Sequence, residues 1–151
     1  MRKIILLIFF SILPINCFSV NYWTESKYAS LKKEKVYARW NASFHAKPRY
    51  IYQKKHFPVL IINEHDVWRE IYDIDGKTGW VHTSMISSKK TFINNKEQNL
   101  LKYKDGDVVN AIVRKGVVGE IIKCEEKFCK VKIKPYKGWV EKEFLWGIKK
   151  N

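Results

Sequence analysis

Apolar residues fall in short runs along this chain, rich in Val, Ile and aromatic side chains and separated by Gly, Asp, Asn and Pro. No segment sustains a 3.6-residue apolar period, so the pattern predicts strands and not helices. Strand character begins at Val36–Trp40, where large and small residues alternate, and resumes at Tyr50–Tyr52 after a polar loop ending at Pro48. Lys54-Lys55-His56 is a turn. Val59–Asn63 and Val67–Ile74 form a hairpin around Glu64-His65-Asp66, and Asp75-Gly76-Lys77 is a tight turn of the Asp-Gly kind. Gly79–His82 is the closing strand, and Thr83–Ile86 reads as a single helical turn.

The order then repeats. Asn99–Lys102, a turn over Lys104–Asp107 and a strand over Val108–Val113 precede the turn Arg114-Lys115-Gly116. A hairpin of Val117–Cys124 and Phe128–Ile133 leads to Gly138–Glu141 and a closing turn at Glu143–Leu145. Pro58 to Trp68 and Val118 to Phe128 have the same spacing, and both hairpins are followed by Gly-Trp-Val, at Gly79-Trp80-Val81 and Gly138-Trp139-Val140. Self-similarity at a period of about sixty residues means a duplicated module. The expected fold is all-β, two tandem small barrels. The boundaries are a lead-in at 20–28, a first domain at 29–86, a linker at 87–97, a second domain at 98–147 and a basic tail at 148–151.

Residues 1–19 stand apart. A basic start at Arg2-Lys3, an apolar run from Ile4 to Leu13, and small residues at Cys17 and Ser19 suit a signal peptide cleaved near Ser19. The run is too short to span a bilayer, although retention as an N-terminal anchor is the alternative. Asn16 before Cys17 argues against a lipoprotein site. The expected location is therefore the periplasm or outside the cell, with no transmembrane span in the mature chain. The 151 residues carry a formal charge of +14. Removing Arg2 and Lys3 takes the basic count from 29 to 27 against 15 acidic residues, a formal +12. Two cysteines then remain. With Glu125–Phe128 as the hairpin loop, Cys124 and Cys129 are a directly opposed pair. Counting by two puts Ile122 and Cys124 on the apolar face with Cys129, Val131 and Ile133. Export permits a disulfide between them; two free buried thiols are the alternative.

Residues 35–86 resemble a bacterial SH3 domain of the kind found in exported alphaproteobacterial proteins. The matching pieces include Ala29-Ser30-Leu31-Lys32, Val36-Tyr37-Ala38-Arg39, Tyr52, Pro58-Val59, Trp68-Arg69, Asp75-Gly76, Gly79-Trp80-Val81-His82 and Ser84. Residues 100–147 resemble a second, diverged copy through Gly116–Gly119, Phe128–Val131, Gly138–Val140 and Leu145-Trp146-Gly147. The chain departs from the usual pattern at Trp40-Asn41, where the family generally has Gly-Pro. The resemblance implies binding and not catalysis: such domains attach proteins to peptidoglycan or recognise its peptides.

The residues agree with that implication. His45, His56, His65 and His82 have no metal-ligand spacing, and no glycine-rich phosphate loop occurs, so neither metal nor cofactor is expected. Candidate ligand contacts are Trp40, Tyr52, Trp68, Tyr72 and Trp80, with Arg39 beside them. Trp68, Glu70 and Tyr72 alternate opposite Arg69 and Ile71, which gives one strand an aromatic face. The competing role for Trp80 and Trp139 is core packing. The expected partner is a cell-wall polymer, whose carboxylates a cationic surface attracts; an extended or proline-rich segment of another envelope protein is the alternative. Lysines spread along the chain, together with export, argue against a specific nucleic-acid partner.

Overall fold

The computed structural model describes residues 27–149. The signal peptide expected at 1–19 and most of the 20–28 lead-in lie outside them. Among the described residues, fourteen strands form two seven-stranded antiparallel sheets. The first contains β1 (Lys27–Leu31), β2 (Val36–Arg39), β3 (Pro48–Tyr52), β4 (Pro58–His65), β5 (Trp68–Tyr72), β6 (Thr78–His82) and β7 (Ile86–Ser87). The second contains β8 (Thr91–Asn94), β9 (Gln98–Leu101), β10 (Val109–Val113), β11 (Val118–Cys124), β12 (Phe128–Ile133), β13 (Tyr136–Glu141) and β14 (Leu145–Trp146).

The strand orders are β3-β2-β6-β5-β4-β1-β7 and β10-β9-β13-β12-β11-β8-β14. They are the same topology offset by seven strands, so the expectation of two related small barrels holds. In each copy a single 3₁₀ turn, Thr83–Met85 or Lys142–Phe144, carries the chain from the sixth strand to the short last strand, which pairs with the first. The first barrel closes on Leu31, Val36, Ala38, Val59, Ile71 and Val81; the second closes on Phe92, Leu100, Val113, Val131, Val140 and Leu145.

Two expectations are corrected. The lead-in ends earlier than residue 28, because Lys27 and Tyr28 already pair with Ile61 and Leu60. The segment 87–97 is not a simple linker: its centre is β8, buried at all four positions and paired with β11. Both strands were hidden by composition. Ser30, Thr91 and Asn94 are buried polar residues that read as loop when seen alone.

The cysteines pair as expected, with Cys124 and Cys129 disulfide-bonded across a cross-strand pair. Counting by two nevertheless fails just before Cys124. A β-bulge between Ile121 and Lys123 lets Ile121 pack against the core and leaves Ile122 51% exposed. The same irregularity falls between Ile61 and Asn63 in β4.

The turns entering β4 and β11 also correspond. His56 N donates to Leu31 O at 2.8 Å, and Gly116 N donates to Asn94 O at 2.8 Å. Both residues have positive φ, 63° and 82°. Glycine adopts that conformation freely, whereas another residue pays roughly 1–2 kcal/mol. His56 Nδ1 is also buried without a hydrogen-bond partner. Burial first, then the Lys89 and Lys55 charges, push its pKa below the ordinary 6.5. The unfolded chain therefore holds this proton more tightly, and the fold loses stability as pH falls through 6.5. His56→Gly is expected to stabilise by about 1 kcal/mol near neutral pH and by more at about pH 5.5, as read from urea midpoints at the two pH values.

Candidate functional site

Cross-strand register places the sequence candidates. Trp68, Glu70 and Tyr72 on β5 stand opposite His82, Trp80 and Thr78 on β6, and Arg39 on β2 stands opposite Trp80. These residues share the face turned away from the core residues Ile71 and Val81, so the aromatic alternation is real. Their environments differ. Trp68 is buried, in edge contact with Phe44 (4.9 Å between centroids) and His82 (5.4 Å). Trp80 is half-buried beside His65, while Tyr72 is exposed near the β5–β6 turn. Arg39 Nη1 donates to Ala46 O at 2.6 Å and so braces the β2–β3 loop. Trp40 is 57% exposed, with the Arg49 guanidinium 4.2 Å from its ring centroid.

Tyr52 does not join this face. It packs against the first core, and its hydroxyl donates to Asp73 Oδ2 at 2.9 Å. Asp73 is itself buried, and its Oδ1 accepts from Asp75 N and Lys77 N, which shapes the β5–β6 turn. Burial, and then Asp73, raise the Tyr52 pKa well above the usual phenol range. Tyr52 is thus held as a neutral donor in a turn-fixing bond.

Phe44, in the β2–β3 loop, is 65% exposed and lays its ring over Trp68 and His82 on the candidate face. The second barrel is open at the corresponding place. A cavity of about 530 Å³ is lined by Leu101, Ile112, Phe128, Trp139, Glu141 and Phe144, with Lys96 and Gln98 at its side. Phe128 and Trp139 occupy the positions of Trp68 and Trp80, and no ring from the β9–β10 loop enters the lining. Lys123 and Lys130 Nζ lie 5.1 and 5.9 Å from the Trp139 ring centroid, and Lys96 Nζ lies 4.7 Å from that of Phe144. Trp139 is only 9% exposed, so its ring forms a buried part of the groove wall.

Phe128, Phe144 and Ile112 were not among the sequence candidates. The repeat alignment pointed to Phe128 through Trp68; Phe144 and Ile112 become visible only when the barrel closes. The groove offers aromatic and aliphatic walls, the Lys96 ammonium and two carboxylates, Glu97 and Glu141, with Lys123 and Lys130 standing over the Trp139 ring. Among the described residues, no group of three or more His, Cys, Asp or Glu is arranged to hold a metal ion. No helix among them is long and apolar enough to cross a membrane.

The family model for the bacterial SH3 domain matches residues 32–88 and again 103–147. No curated protein matches the chain in sequence. Solved structures that match include NlpC2 from Trichomonas vaginalis, at 12% identity and a TM-score of 0.38, covering 82% of this chain and 49% of that one. NlpC1 from the same organism matches at 16% identity and a TM-score of 0.38, covering 84% of this chain and 47% of that one. The chain spans about half the length of these solved structures.

Proposed function

Because this chain belongs to the bacterial SH3 domain family and carries the domain twice, we propose that it is a non-catalytic envelope-binding module that recognises peptidoglycan or its peptides through the groove of the second barrel. The observation that carries this reading is the open aromatic groove around Phe128, Trp139 and Phe144, set against the first barrel's matching face, where the Phe44 ring lies over Trp68. Aromatic walls stack on sugar rings and apolar stem-peptide groups, and the lysines at Trp139 attract wall carboxylates. The apolar run of residues 4–13 supports export, and the family resemblance supports a wall ligand.

Sedimentation with purified peptidoglycan tests the reading. The full chain is expected to pellet with the wall at low salt. Ile112, 62% exposed on the groove wall, can be changed without disturbing the core. Ile112→Glu is expected to weaken retention at least about tenfold, equivalent to about 1.4 kcal/mol. Wild-type protein left in the supernatant would sink wall binding. The same aromatic groove also fits an extended or proline-rich segment of an envelope protein. Crosslinking in intact cells followed by wall digestion separates the two, since only a protein ligand survives digestion.

A further inference from the structure

A large cavity lies between the barrels. It measures about 910 Å³ and draws its lining from both copies, a size at the upper end for ligand sites. Ile61, Ile86, Ile121 and Ile122 supply apolar surface. The charged residues of its lining are Lys27, Arg69, Lys90, Lys123, Lys142 and Lys149, with no Asp or Glu among them. Arg69 and Lys123 reach Glu64 and Glu125, which lie outside the lining. The barrels meet beside the cleft through the edge contact of Tyr28 with Trp146 (5.4 Å), and the segment joining them is tied to β11 by Lys89 Nζ to Glu120 Oε1 (2.6 Å) and by Ile121 N donating to Lys90 O (3.0 Å).

One more feature selects the ligand's shape. On its β8 side β11 is paired over Val118–Glu120 and bonded once more at Ile121, while its pairing with β12 continues to Cys124. Among the described residues, Ile122–Cys124 therefore face the cleft with one strand edge unpaired. An unpaired edge accepts an extended backbone. A sugar polymer or lipid chain has no backbone amides to match it.

We propose that this cleft is a second binding site, distinct from the groove of the second barrel, for an extended acidic peptide segment with aliphatic side chains that adds as a strand to the β11 edge. Carboxylates on one side of the added strand face the lysines, and aliphatic side chains on the other cover Ile61 and Ile122.

The test uses the full chain and a fluorescein-labelled Glu-Val repeat peptide, read by anisotropy. Saturable binding is expected, with none for a Lys-Val repeat. Lys90→Glu with Lys142→Glu is expected to weaken binding at least about tenfold, while Lys134→Glu with Lys137→Glu, the same charge change away from the cleft, changes it less than about threefold. Ile112→Glu is expected to leave it unchanged, so failure here is distinguishable from failure of the wall-binding groove. Amide resonances shifted by the peptide are expected to centre on Ile122–Cys124. Equal loss in both charge-reversed pairs would reduce the effect to overall charge and overturn the proposal, as would loss in Ile112→Glu or the absence of saturation. Phosphatidylglycerol vesicles that bind the chain and displace the peptide would overturn it in favour of a membrane surface.

Discussion

Asn94→Ala is expected to destabilise the second barrel by about 3 kcal/mol, because it strands several buried polar groups at once. Asn94 is 1% exposed, and its amide nitrogen lies within hydrogen-bond distance of the carbonyls of Lys96, Val113 and Arg114 at 2.6, 2.9 and 3.1 Å. Its Oδ1 accepts from Gln98 Nε2 at 2.7 Å, and Gln98 Oε1 accepts from Glu141 N at 2.7 Å. One side chain thus connects β8, β9, the turn before β11 and, through Gln98, β13. The first barrel does the same job with hydrocarbon. Leu31 holds the place of Asn94, as the matching bonds from His56 and Gly116 show. Val36 holds the place of Gln98, since Val36 pairs with Tyr52 as Gln98 pairs with Val113. Asn94→Leu with Gln98→Val is therefore expected to cost less than the sum of the two single changes, because the double leaves neither Gln98 Nε2 nor Asn94 Oδ1 unpaired. Urea denaturation of the two single variants and the double checks this; additive losses would refute the network.

The second large effect concerns the glycine of each Gly-Trp-Val. A Cβ on Gly138 would sit 2.5 Å from Leu101 O and 2.8 Å from Leu100 Cγ. Leu101 is fixed by pairing with Trp139 across β9 and β13, so the carbonyl cannot retreat without opening the barrel seam. A Cβ on Gly79 would come no closer than 3.0 Å to Ala38 Cβ and 3.3 Å to Arg39 O. Gly138→Ala is expected to cost about 3 kcal/mol and Gly79→Ala about 1 kcal/mol. The asymmetry follows from Leu100 standing where the first barrel has Ala38. Thermal melts of both variants check it, and equal losses would show that the seam is softer than its contacts indicate.

These glycines explain why so much of the architecture was legible in the sequence. A close strand crossing tolerates no side chain, so the motif marks barrel closure wherever it recurs, and the hairpin before it fixes the register. What escaped notice was polar and buried. β1 and β8 are short, and their Ser30, Thr91 and Asn94 resemble loop residues until a partner strand satisfies them. The bulges at Ile62 and Ile122 add a residue that alternation cannot anticipate. At the site, alternation put Trp68 and Tyr72 on one face of β5, and Trp80 joins them only through its register opposite Glu70. It could not show that Phe44, from a loop, would lie over Trp68, nor that the open groove belongs to the other copy. Tyr52 looked like a ligand contact because an exposed ring and a ring bonded to a buried Asp73 have the same local sequence pattern.

One position pair is built differently in the two halves. Cys124 and Cys129 are covalently joined where the first barrel sets Glu64 opposite Arg69, with Arg69 Nε 3.2 Å from Glu64 Oε1. A partly exposed ion pair contributes at most about 1 kcal/mol and fades in brine. A short covalent loop contributes about 2 kcal/mol and ignores ionic strength, yet yields to thiols. Electrolyte thus loosens one clasp and a reductant the other, so the halves of this duplicated protein are weakened by different chemistries.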